Sequence, residues 1–196
     1  MRRSLIAGTA LVSFAAMATA PAAAVTYTRT GTTIGGPVFN RPVANGTAAP
    51  TVLSDVGTVV PYDSFSFSIT AAGDYSFLMR AQTDGYDTYL GLYLGSFDPA
   101  SPLTNAIIYN DDLTSLVTSG FTTSLALGQT YTAVMTGFDN GDFGRYSLAI
   151  TGPGSVVPGD VPAVPEAATW ASLILGMGMI GTAMRRRSTR TNVRFA

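Results

Sequence analysis

The chain has 196 residues, 11 of them basic and 12 acidic, room for one ordinary domain plus flanking segments at a net charge of −1. It has no cysteine, histidine or lysine, which excludes a disulfide framework, a thiolate or imidazole zinc site, a cysteine nucleophile, a serine–histidine–aspartate triad, a lysine Schiff base and a P-loop lysine. Carboxylates, hydroxyls and arginines remain for chemistry, and the bulk of the chain carries no basic patch for nucleic acid.

Charge is segregated along the chain. Arg2 and Arg3 open it and Arg185, Arg186, Arg187, Arg190 and Arg194 close it, while residues 25–164 hold four arginines against 11 aspartates, a net −7. Residues 1–24 read as an export signal: the two arginines, an apolar run from Leu5 to about Ala18, and small residues with Ala22-Ala23-Ala24 before Val25. That run is short for a bilayer core, which takes about 20 apolar residues.

Residues 25–54 are rich in threonine, glycine and proline and fit either a disordered lead-in or added edge strands. Strand patterns then recur at roughly ten-residue intervals, as in an all-β protein. Ser64-Phe65-Ser66-Phe67-Ser68-Ile69 alternates strictly, placing Phe65, Phe67 and Ile69 on one face. Ala72-Gly73-Asp74 turns, Tyr75, Phe77 and Met79 continue the pattern, and Asp84-Gly85 breaks it. Thr88, Leu90, Leu92 and Leu94 alternate against Tyr89, Gly91, Tyr93 and Gly95. After a Pro99/Pro102 loop, strands are expected at 106–109, 121–127 and 131–138, with Gly128-Gln129 as a turn. Asp139-Asn140-Gly141-Asp142 is a hairpin turn leading to Tyr146, Leu148 and Ile150. The expected fold is all-β: a single antiparallel β-sandwich, jelly-roll-like, over residues 55–151, flanked by an N-terminal signal helix and a C-terminal transmembrane helix.

The stretch 55–151 resembles bacterial pre-peptidase C-terminal domains through Tyr62-Asp63-Ser64-Phe65-Ser66-Phe67, Ala72-Gly73-Asp74-Tyr75-Ser76-Phe77, Asp87-Thr88-Tyr89-Leu90-Gly91-Leu92-Tyr93, Asn110-Asp111-Asp112 and Gly144-Arg145-Tyr146-Ser147-Leu148. The resemblance implies a small non-catalytic sandwich of a kind that in some cases binds calcium or matrix polymers. Residues 152–164, with Pro153, Pro158 and Pro162, read as a stiff, extended linker.

From Ala167 to Met184 run 18 uncharged residues, followed at once by Arg185-Arg186-Arg187, a membrane helix candidate with a stop-transfer cluster. The positive-inside tendency keeps these arginines and the basic tail 188–196 cytoplasmic and the acidic middle outside. Gly176-Met177-Gly178-Met179-Ile180-Gly181 spells a dinucleotide-loop pattern but lies inside this apolar run, with no strand before it and no βαβ unit, so it is read as small residues for helix packing. Val164-Pro165-Glu166-Ala167-Ala168-Thr169-Trp170-Ala171, then the apolar run and the arginines, resembles the PEP-CTERM sorting signal in its PEPxxWA variant, with Ala167 where the name motif has a second proline. The resemblance covers about 164–187. It implies a Gram-negative exported protein, transiently held in the inner membrane, recognised by an exosortase-type membrane peptidase and associated with exopolysaccharide or the cell surface. Pro165, Glu166, Trp170, Arg185, Arg186 and Arg187 are then substrate residues of that system.

The remaining constellation is acidic. Asp84 and Asp87, Asp111 and Asp112, and Asp139 and Asp142 sit in three turns. Oxygen ligands on flexible loops suit calcium, and the same residues are ordinary β-turn formers. Tyr86, Tyr89, Tyr93 and Tyr109 make a carbohydrate platform if they face outward, or core and cross-strand packing if they do not. Two function classes stand: a non-catalytic surface or extracellular-matrix module with no cofactor other than such a calcium, or an aspartate-dependent secreted hydrolase of glycosidase type. A carbohydrate-binding module is a further alternative. A hydrolase needs two carboxyls about 5–10 Å apart across a cleft. Aspartates converging in a deep pocket would favour it.

Overall fold

The structure, a computed structural model, describes residues 23–159. The expected signal helix, the 167–184 apolar run, the sorting motif at Pro165, Glu166 and Trp170, and Arg185, Arg186 and Arg187 lie outside the described residues. Those described form ten strands: β1 (Val25–Thr32), β2 (Val38–Phe39), β3 (Val60–Ile69), β4 (Gly73–Ala81), β5 (Thr88–Leu94), β6 (Ala106–Asn110), β7 (Thr118–Leu125), β8 (Tyr131–Gly137), β9 (Arg145–Gly152) and β10 (Val156–Pro158). All pairings are antiparallel. A four-stranded sheet runs β1-β9-β4-β7, and a six-stranded sheet runs β10-β3-β8-β5-β6, with β2 paired to the other end of β3. Among the described residues no helix is long and apolar enough to cross a membrane.

Strict alternation explains why the sheets stack. In β3 and β4, Phe65, Phe67, Ile69, Tyr75, Phe77 and Met79 are at most 5 % exposed and meet Leu90, Leu92, Met135, Leu148 and Ile150 in one core. Each large apolar side chain so buried contributes about 1.5–3 kcal/mol. At one margin Arg29 of β1 donates to Asp63 of β3 at 2.9 Å, and the Tyr146 hydroxyl of β9 donates to the same carboxylate oxygen at 2.5 Å, tying the two sheets together.

Both ends of the sandwich reach beyond 55–151. Of the two alternatives for residues 25–54, the edge strands are present: the segment includes all of β1 and β2, and β1 pairs along its whole length with β9. The expected linker starting at 152 is strand over 156–158, where Val156 lies opposite Ile69 and Pro158 opposite Phe67. Pro158 fits there because β10 ends its sheet and one side of it makes no ladder bonds. The sandwich therefore spans about 25–158, wider at both ends than the expected 55–151.

A second cluster packs on the outer face of the six-stranded sheet. Phe39, Tyr89, Tyr93, Tyr109 and Val134 are at most 4 % exposed, flanked by Tyr62, Phe97 and Phe138. Residues 33–59 cross over it as a strap. The strap is held by the Ala44 N–H on the Tyr89 hydroxyl (2.5 Å), by that hydroxyl on the Pro42 carbonyl (3.2 Å), and by Arg41. Tyr109 lies flat against Gly91, where a Cβ would come within 2.2 Å of Cζ of the ring, so only glycine fits beneath it. The outward tyrosine platform is thus not presented: Tyr89, Tyr93 and Tyr109 are covered by the strap and Phe97, and Tyr86 belongs to the main core.

Candidate metal centre

Antiparallel pairing brings three loops to one end of the sandwich. Asp87 immediately precedes β5, and Asp111 and Asp112 immediately follow β6. Leu90 pairs with Asn110, so the residues beyond that pair are neighbours across the mouth of the β5–β6 hairpin. Thr88 pairs with Gly137 and the Phe138 N–H donates to the Asp87 carbonyl at 3.2 Å, which sets the 139–142 turn beside Asp87.

One oxygen each from Asp87, Asp111 and Asp112 lies within 4.8 Å of the others. Oδ1 of Asp87 and Oδ1 of Asp111 are enclosed and accept no hydrogen bond from the described residues. Burial raises the Asp87 carboxyl to about 6, reinforced by repulsion from Asp111, Asp142 and Asp112 and opposed by Arg41. Asp111 is raised by burial and by Asp112 and Asp142, again against Arg41. Burial also raises Asp142, whose Oδ2 accepts from the Asp139 N–H at 2.8 Å.

Of the six aspartates singled out in the sequence, the structure therefore brings Asp87, Asp111 and Asp112 together and sets Asp142 within their field. Asp84 does not join them: it is exposed on a separate hollow with residues 81–85 and Val117. Asp139 is exposed, and its carboxylate caps the Asn140 N–H within its own turn.

The residue that sequence reasoning missed is Arg41. Its side chain is 3 % exposed, with Cζ 4.0 Å from the Tyr89 ring centroid and 4.6 Å from that of Phe138. Nε donates to the Phe138 carbonyl at 2.8 Å and Nη1 to the Pro42 carbonyl at 3.3 Å. Arg29–Asp63 is the one ion pair among the described residues, so Arg41 acts on the aspartates through space. The sequence clue was a lone arginine between apolar Val38-Phe39 and Pro42-Val43.

Three carboxylates around one point, two with enclosed oxygens that lack a donor, form a donor set that a hard cation fits. Calcium takes six to eight oxygens at variable angles, and carbonyls and water complete such a shell. Arg41 supplies part of the counter-charge, yet the Asp87 and Asp111 carboxyls remain raised despite it, so its compensation is incomplete. Asp111 also borders a hollow of about 220 Å³ with Arg41, Val43, Ser54, Val56, Tyr89 and Phe138. That is below the roughly 300–1,000 Å³ usual for small-molecule sites.

No protein-family model matches the chain, and no curated protein sequence matches it. Among solved structures it is similar to the pre-peptidase C-terminal domain of collagenase from Bacillus anthracis, at 15 % identity and a TM-score of 0.39 over 64 % of this chain and 89 % of that one. It is also similar to the K1 cleaved adhesin domain of Lys-gingipain from Porphyromonas gingivalis, at 15 % identity and a TM-score of 0.35 over 66 % and 98 % of the two chains. A third is a CBM35 from Cellvibrio japonicus Abf62, at 13 % identity and a TM-score of 0.35 over 70 % and 99 %. Likenesses this distant transfer no ligand, activity or site residue to this chain.

Proposed function

We propose that this protein is a non-catalytic, exported surface or matrix module whose loop end is held by calcium. The observation that carries the calcium assignment is the Asp87, Asp111 and Asp112 cluster with its two enclosed, donorless oxygens. A cation there satisfies those oxygens and relieves the repulsion that, with burial, raises the Asp87 and Asp111 carboxyls. Magnesium fits less well, because it demands tight octahedral geometry and gives up water reluctantly.

The export half of the proposal rests on the sequence: a signal at 1–24, a PEPxxWA-like motif from Pro165, and an uncharged run closed by Arg185, Arg186 and Arg187. In this reading the chain crosses the inner membrane, is held there transiently, and is processed near Pro165-Glu166 by an exosortase-type peptidase. Exopolysaccharide or the cell surface is its destination. Nucleic acid has no place in it, since residues 25–164 carry a net −7.

A hydrolase reading has one observation in its favour, the Asp87 carboxyl raised to about 6, suited to a proton donor. A third carboxylate in the same cluster favours a cation over a cleaved bond. The carbohydrate-binding alternative loses its outward tyrosines to the strap.

Two measurements test the proposal. Calorimetric titration of the full chain should give one calcium per chain for the wild type and none for Asp111→Asn; binding of equal strength in both would remove the site. Mass spectrometry of the mature protein from its native host should find ends near Val25 and Pro165. Full-length chain in the inner membrane of a host that has the sorting enzyme would contradict the export reading.

A further inference from the structure

Two asparagine–glycine pairs lie on exposed turns, Asn45-Gly46 at the tip of the strap and Asn140-Gly141 in the β8–β9 connection. They share the same dipeptide and differ in environment. From that difference we infer that Asn45 is a site of spontaneous covalent modification and that the fold protects Asn140 from the same reaction.

The reaction needs no enzyme. The Gly46 backbone nitrogen loses its proton to solvent base and bonds to Cγ of Asn45, the Cγ–Nδ2 bond breaks, and Nδ2 leaves as ammonia after taking up a proton. Water then opens the cyclic imide at either carbonyl and leaves aspartate or isoaspartate at position 45. One water is consumed and one ammonia released, with no change in oxidation state.

At Asn45 nothing opposes the attack. The residue is exposed, and its carboxamide makes no hydrogen bond among the described residues. Gly46 has a φ of 57°, and nothing lies within 4 Å of where a Cβ would stand, as is also true of Gly141. The turn is closed by a single bond, the Ala48 N–H to the Asn45 carbonyl at 2.9 Å, and the next rung is the Val43 N–H to the Val52 carbonyl at 2.9 Å.

At Asn140 the strap itself blocks the attack. Oδ1 accepts from the Val59 N–H at 2.7 Å and Nδ2 donates to Oγ1 of Thr58 at 3.2 Å. Turning Cγ towards the Gly141 nitrogen breaks both bonds. The turn is also closed twice, by the Asp142 N–H on the Asp139 carbonyl at 3.0 Å and by the Asp139 N–H on Oδ2 of Asp142 at 2.8 Å. The strap tip therefore acquires a negative charge with age, while the contact that fastens the strap to the β8–β9 turn stays intact.

The test is incubation of the full-length chain at mildly alkaline pH, followed by tryptic mapping and mass spectrometry. Trypsin spares Arg41 because proline follows it, so the peptides 30–80 and 81–145 report the two pairs separately. Conversion in 30–80, localised to residue 45, should outpace conversion at Asn140 about tenfold or more, the effect expected from two hydrogen bonds that must break first. In denaturant the two rates should converge. Equal rates in the folded chain, a difference that survives denaturation, or undiminished conversion of 30–80 in an Asn45→Ser variant would each overturn the inference.

Discussion

The two sheets of the sandwich use similar strands and are covered differently. In the four-stranded sheet one face is dry and one is wet: Thr26, Thr28, Thr30 and Thr32 of β1 are exposed, as are Ser76, Arg80 and Thr122 further across. In the six-stranded sheet the central strands have no wet face. Every residue of β8 and all but the last of β5 are buried, because the main core lies on one side and the strap with Phe97 on the other. Alternation thus marks a strand only where one face meets water. Covering the second face also brings in Arg41, a buried cation, next to carboxylates that have lost part of their hydration.

The largest expected effect lies in the shared core. Phe67→Ala should cost about 3–5 kcal/mol, a large part of the about 5–15 kcal/mol available to a domain, and should destabilise both sheets together in chemical denaturation. Arg41→Met should cost about 2 kcal/mol through lost ring stacking and the lost bond to the Phe138 carbonyl. Its signature is regional. Hydrogen exchange should quicken at the Ser54 and Arg41 amides, which bond across the strap at 2.8 and 3.0 Å, and stay unchanged in β4 and β9. Uniform acceleration across both sheets would mean that the strap is not a separate layer.

A smaller effect is expected from pH. The folded Asp87 carboxyl titrates at about 6, above its ordinary value of 3.8, so between those values the folded state holds a proton that the unfolded state has released. Without metal, the stability this group allows is present at low pH and is lost as pH rises through about 6. Asp87→Asn should remove about 1 kcal/mol of that pH-dependent loss after allowance for solvent screening. An unchanged slope in chelator would show that Asp87 is not repelled in the fold. Smallest of all is Thr28→Ala on the exposed face, which should stay within about 0.5 kcal/mol of the wild type.

What was legible in the sequence followed from local periodicity and turn residues. Phe65, Phe67 and Ile69 alternate over Ser64, Ser66 and Ser68, and they are core. Leu94 continues the pattern but, as the last residue of β5, is 44 % exposed. The strap was not legible: it has no period, β2 is two residues long, and its hold comes from contacts with residues 45 and more positions away. Nor do β1 and β10 announce their partners, because pairing of Val25 with Gly152 is invisible to any local window. Among the aspartates, spacing identified acidic turns but not which turns share an end. Asp87 and Asp111 meet because one opens and the other follows neighbouring antiparallel strands, whereas Asp84, only three residues earlier, lies on a separate hollow.

The most direct test of the proposed calcium site is thermal melting of the full chain in chelator, millimolar calcium and millimolar magnesium at matched ionic strength. A cation that binds only the folded state stabilises it by RT ln(1 + [L]/Kd), about 2.7 kcal/mol at a hundredfold excess over Kd. Calcium should therefore raise the melting temperature clearly, magnesium less, and Asp111→Asn should abolish the difference. Equal melting temperatures in all three solutions would contradict the account and leave Asp87, Asp111 and Asp112 as turn residues balanced by Arg41 alone.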